Sequence, residues 1–60
     1  MNQNQKIQFY KKCRTMSDEE LDEEITFQVK EAKAGYVVRC LIVQEIQRER
    51  HQLNHSEVNN

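Results

Sequence analysis

The stretch Tyr36-Val37-Val38-Arg39-Cys40-Leu41-Ile42-Val43-Gln44-Glu45-Ile46-Gln47-Arg48-Glu49-Arg50-His51-Gln52-Leu53 decides the fold, because its two halves ask for different structures. Residues 36–43 are rich in β-branched and aromatic side chains, which suit a strand. Residues 44–53 continue without a breaker in strongly helical composition. Periodicity settles the conflict. Val38, Ile42, Ile46, Glu49 and Leu53 recur at intervals of four, four, three and four, which places them on one helical stripe. A lone strand would also lack a neighbour to pair with in so short a chain. We therefore expect one helix over about residues 36–53.

Upstream, Met16-Ser17-Asp18-Glu19-Glu20-Leu21 spells the start of another helix. Ser17 can accept from the Glu20 amide while the Glu20 side chain reaches back to the Ser17 amide, the reciprocal pattern of a capping box. Met16 and Leu21 flank the cap as a hydrophobic staple, and Asp18, Glu19 and Glu20 sit where the helix dipole is positive. Leu21, Ile25, Val29 and Ala32 form the apolar stripe, with Phe27 and Gln28 on flanking faces. The stop is expected at Gly35, the one glycine in the chain, since glycine takes a left-handed C-terminal cap without strain. Alternatively Gly35 sits inside one continuous helix at a cost of about 1 kcal/mol. The preferred architecture is all-α: a helical hairpin of residues 17–34 and 36–53. A short N-terminal helix over about 4–14 precedes it, with Phe9, Cys13 and Met16 on one face. The polar ends, about 1–4 and 54–60, carry too little apolar surface to offset the entropy of ordering them and should fray.

The whole chain has 60 residues, so one domain is its ceiling. It has no proline, 37% hydrophobic and 32% charged residues, and a mean hydropathy of -0.97, all of which favour helices with solvated outer faces. The longest apolar block, residues 36–43, is interrupted by Arg39 and falls far short of the roughly twenty residues of a membrane span. Residues 1–15 lack the apolar core of a secretory signal. A cytoplasmic chain with reduced Cys13 and Cys40 is the expectation.

Net charge is -1, unevenly distributed. Lys6, Lys11, Lys12 and Arg14 stand in the first sixteen residues without an acid, whereas residues 17–34 hold seven acids against Lys30 and Lys33. Such a layout lets the basic segment lie across the acidic helix or guides a charged partner.

The third helix is apolar on two sides. Val38, Leu41, Ile42 and Ile46 make one face, and Tyr36, Cys40 and Val43 make another. One antiparallel neighbour covers only one of them. The first helix could cover the second, giving a monomer, or another copy of the chain could do so; at this length we expect a homodimer. The candidate protein-binding or dimer face is Tyr36, Cys40 and Val43, with Phe9 and Tyr10 nearby.

No catalytic residue and no cofactor are expected: neither cysteine stands in a motif that supplies a base or an oxyanion hole, and no glycine-rich phosphate loop is present. His51 and His55 have the i, i+4 spacing of zinc ligands, but Cys13 and Cys40 are 27 residues apart without a Cys-x-x-Cys knuckle, so ordinary thiols and exposed histidines are expected. The acids between Asp18 and Glu24 alternate with Leu21 and Ile25 as a helix start requires. The rival to protein binding is a dimeric nucleic-acid binder using Lys11, Lys12 and Arg14, with Arg48 and Arg50 on the last helix, to meet phosphates. The absence of a net basic excess argues against it.

Residues 17–50, with Ser17-Asp18-Glu19-Glu20-Leu21 opening one helix and Glu45-Ile46-Gln47-Arg48-Glu49-Arg50 closing the next, resemble the helical hairpin of the Sda-type inhibitors of histidine kinases. The loop Ala34-Gly35-Tyr36 departs from that pattern. In overall style, a proline-free helical chain with Gln- and Asn-rich ends also resembles the small early-region proteins of temperate, including lambdoid, phages. Both resemblances imply a small non-enzymatic regulator that binds a larger protein.

Overall fold

A computed structural model describes the backbone of residues 1–59 and the side chains of residues 1–53. The described residues form three helices and no strand: α1 (Gln3–Arg14), α2 (Asp18–Glu31) and α3 (Tyr36–Asn59). The competition between strand and helix in residues 36–43 is won by the helix. At 1.5 Å per residue its 24 residues span about 36 Å, and α1 and α2 both pack along it. The helix runs on to Asn59, past the expected end near residue 53 and through most of the 54–60 tail expected to fray, whereas the side chains of 54–60, His55 among them, lie outside the described residues.

Each helix start has a chemical cause. Ser17 Oγ accepts from the Glu20 amide at 3.1 Å and Glu20 Oε1 accepts from the Ser17 amide at 2.9 Å, so the capping box of α2 is complete. The same device opens α1, where Asn2 Oδ1 accepts from the Gln5 amide at 2.8 Å and Gln5 Oε1 from the Asn2 amide at 3.0 Å. Residues 3 and 4, expected to fray with the polar end, are thus the first turn of a capped helix. Asparagine followed three residues later by glutamine is a cap signature whatever the polarity around it.

The link between α2 and α3 corrects the expected boundary. The second helix ends at Glu31 rather than near Gly35, and its C-terminal cap is Ala32, with φ 49° and ψ 39°. Gly35 also has a positive φ, 83°, but it opens α3: its carbonyl accepts from the Arg39 amide at 3.1 Å. Reversing direction in four residues takes two left-handed positions, and the chain has one glycine. The second falls to alanine, whose single methyl is the smallest side chain to place there. Arg39 Nη1 donates to the Ala34 carbonyl at 3.1 Å and satisfies a backbone group the reversal leaves open.

The core is Cys13, Leu21, Val43 and Ile46, with Phe9, Tyr10, Met16, Ile25 and Ile42 packed around it. Met16 and Leu21, on either side of the cap, both join this core. On α2 the buried line runs through Leu21, Ile25 and Gln28, not through Val29, which stays 57% exposed. Gln28 tolerates burial because its Nε2 donates to Glu24 Oε2 at 2.7 Å. Of the expected end of the stripe, Ala32 is lost because the helix stops early, and Val29, still within the helix, lies on a side its neighbours leave open.

Candidate functional site

The register of α3 against its neighbours determines which of its apolar faces stays open. Gln47 Nε2 donates to Asp22 Oδ1 at 2.7 Å, and Arg50 Nη1 donates to Asp18 Oδ1 at the same distance. As residue number rises on α2 it falls on α3, so the two helices run antiparallel. Gln47 follows Val43 by four residues and Cys40 by seven, so this face of α3 points at α2. Glu49, seven residues after Ile42, accepts from the Tyr10 hydroxyl at 3.3 Å and lies 3.8 Å from Arg14, which turns the neighbouring face towards α1.

This arrangement corrects the assignment of the candidate face. Val43 is fully buried in the core, Tyr36 and Cys40 are half-buried, and Phe9 packs on the core from α1. Of the five residues proposed from the sequence, Tyr10 alone lines the open groove between α1 and α3. Most of the face expected to be covered is left open: Val38 and Ile42 are partly exposed and Leu41 is more than half exposed, while Ile46 of that face is buried. The reason is that α2 takes Val43 and Ile46 together, and these lie between the two faces drawn from the sequence. One pairing signal was available: Asp18 and Asp22 on α2 match Arg50 and Gln47 on α3 in antiparallel order.

The groove is a shallow, open depression of about 560 Å³. Ile7 and Tyr10 line it from α1, and Val38, Leu41 and Ile42 from α3. Lys6, Lys11 and Arg14 stand along one rim, with Glu45 opposite. Arg14 is committed locally. Its Nη1 donates to the Tyr10 hydroxyl at 2.9 Å, and its guanidinium carbon lies 5.5 Å from the centre of that ring. Glu45 is paired with Arg48 at 3.2 Å. Lys6 and Lys11 have no ion-pair partner among the described residues. The groove therefore has an aliphatic floor and a rim with uncompensated positive charge.

The basic residues considered for nucleic acid do not form one stripe. Lys12 lies on another side of α1, beside Phe9 and Arg39. Arg50 is turned inward to the α1–α2 corner, where its Nη2 also donates to the Arg14 carbonyl at 3.2 Å. That bond satisfies a carbonyl at the C-terminus of α1 while the first arm holds the N-terminus of α2. The basic α1 does not lie across α2 through ion pairs. Among the described residues, the inter-helix ion pairs run from α1 to α3 and from α2 to α3.

Cys13 is buried, and burial, followed by the nearby Glu24 carboxylate, raises its thiol above the ordinary range, with Lys12 opposing. A thiol kept neutral in this way is a packing group rather than a nucleophile. Among the described residues, no group of three or more His, Cys, Asp or Glu is assembled as a metal cage, and no helix is long and apolar enough to cross a membrane. No protein-family model, no curated protein and no solved structure matches this chain.

Proposed function

We propose that the chain is a small non-enzymatic regulatory or adaptor protein that seats an amphipathic, acid-flanked helix of a protein partner in its α1–α3 groove. The observation that carries this reading is the aliphatic floor of Ile7, Val38, Leu41 and Ile42 beside the unpaired Lys6 and Lys11. A helix lays apolar residues three and four positions apart into such a groove, and carboxylates on its flank meet the lysines. Nucleic acid fits less well. The floor offers aliphatic side chains, the one aromatic ring lining it is engaged by Arg14, and Arg50 is spent on internal contacts.

The test uses two synthetic helical peptides with identical leucine stripes, one flanked by glutamates and one by lysines, and a fluorescent single-stranded oligonucleotide. Anisotropy titrations should give saturable binding of the acidic peptide alone, weakened at least tenfold by Leu41→Asp. Equal binding of both peptides, tighter binding of the oligonucleotide, or indifference to Leu41→Asp would contradict the proposal.

A further inference from the structure

The chain itself carries a surface with the chemistry the groove asks for. Phe27, on the outer side of α2, is 54% exposed. Glu20, Glu23, Glu24 and Glu31 precede or follow it by seven, four, three and four residues, the spacings that share one helical face, on which Lys30, three residues on, is the one cation. An exposed aromatic ring on this helix is therefore bordered by four carboxylates. Glu31 pairs with Lys33 at 3.9 Å, but the basic α1 does not neutralise the other three, because the inter-helix ion pairs among the described residues all end on α3. Two complementary surfaces, a cationic apolar groove and an anionic apolar ridge, remain separate within one molecule.

We infer that the groove is occupied by α2 of a second copy of this chain, with Phe27 entering between Ile7 and Leu41 and the glutamates meeting Lys6 and Lys11. This inference rests on the groove being a helix-docking site and names its occupant. Pairing groove against groove is disfavoured, since it would set Lys6 and Lys11 of one copy against the same lysines of the other. Ridge against ridge repels likewise. The complementary contact is groove to ridge, and a two-fold pair makes it twice, which closes the assembly instead of propagating it. Such a pair also covers Phe27 and Leu41, two of the most exposed large apolar side chains among the described residues.

Charge reversal tests the assignment. One variant carries Lys6→Glu and Lys11→Glu; the other carries Glu23→Lys and Glu31→Lys. The second leaves Glu20 to cap α2 and Glu24 to hold Gln28. Circular dichroism checks that both remain helical. By light scattering after size exclusion, wild type should rise with concentration to twice its 7.2 kDa mass, and less readily as salt is added. Each variant alone should weaken dimerisation at least tenfold. Mixing them should restore it, because the acidic ridge of the first meets the basic groove of the second and the reverse also holds.

A monomeric wild type, assembly beyond the dimer, dimers unaffected by either reversal, or a mixture that fails to associate would overturn the inference. The peptide titration above separates this from the wider proposal. A monomer that binds the acidic peptide through Leu41 refutes the second copy and leaves the groove as a docking site.

Discussion

Val43 and Leu41 stand two residues apart on α3 and have opposite surroundings: Val43 is fully buried, whereas Leu41 keeps 58% of its surface exposed. A charge at the first must be buried among Cys13, Leu21 and Ile46; at the second it faces water. Whole-chain stability at this length is roughly 3–9 kcal/mol, and an unpaired buried carboxylate removes about 3–5 kcal/mol of that. Val43→Asp should therefore lose most of its cooperative melting transition by circular dichroism, while Leu41→Asp, compared at concentrations too low for association, melts within a few degrees of wild type.

Arg50 joins three elements through one guanidinium, reaching Asp18 and the Arg14 carbonyl. Its contribution is modest because Asp18 is largely in water and screened. Arg50→Ala should cost about 1 kcal/mol in urea unfolding, and Arg50→Lys should recover only part of that, because an ammonium lacks the rigid two-armed fork. Equal stability of Arg50→Lys and wild type would show that the second arm contributes nothing.

The two left-handed residues of the α2–α3 link should respond in opposite directions. Ala32 carries a Cβ at φ 49°, where glycine is more at ease, so Ala32→Gly should stabilise by about 0.5–1 kcal/mol. At Gly35, φ is 83° and an added Cβ would lie 3.2 Å from Met1 Cγ, so Gly35→Ala should destabilise by about 1 kcal/mol. For a domain of this size 1 kcal/mol moves the thermal midpoint by about 4–8 °C, which a melting experiment resolves readily.

The parts of this fold legible in the sequence are those governed by neighbours in the chain. The Ser17–Glu20 box, the Met16–Leu21 pair at the α2 entry and the helical period of α3 all depend on residues within a few positions of each other. What escaped depends on residues far apart. Gly35 looked like the stop of α2 because glycine is the usual left-handed residue, yet the geometry of the reversal needed a second such position and took Ala32. The two apolar faces of α3 were visible, but which one α2 covers is set by Asp18 and Asp22 reaching Arg50 and Gln47, contacts across 32 and 25 residues. The α3 side of the groove, Val38, Leu41 and Ile42, was therefore read as a covered face, and Tyr10, Lys11 and Arg14 on the α1 side were singled out for other reasons.

Two groups give stability a pH dependence at opposite ends. The Ser17 amide, and then its hydroxyl, hold the Glu20 carboxyl below its usual range. A depressed folded value means that the cap contributes above about pH 4.5, the unfolded value, and is lost as pH falls through the folded one. Glu20→Gln keeps an acceptor at this position and should flatten the acid limb of a stability profile. Cys13 is shifted upward, chiefly by burial, so its contribution is complete below about pH 9 and lost as pH rises through the folded value. Cys13→Ala should flatten the alkaline limb, at the expense of overall stability.

The groove is tested most directly by methyl-resolved NMR of the isotope-labelled chain titrated with the acid-flanked leucine helix. Val29 serves as the internal control, since its 57% exposure nearly equals that of Leu41 but it sits on α2, away from the groove. Saturable shifts are expected at Ile7, Val38, Leu41 and Ile42, with Val29 and the exposed Leu53 unmoved. Shifts centred on Val29 or Leu53, or spread evenly over all exposed methyls, would contradict docking in the groove.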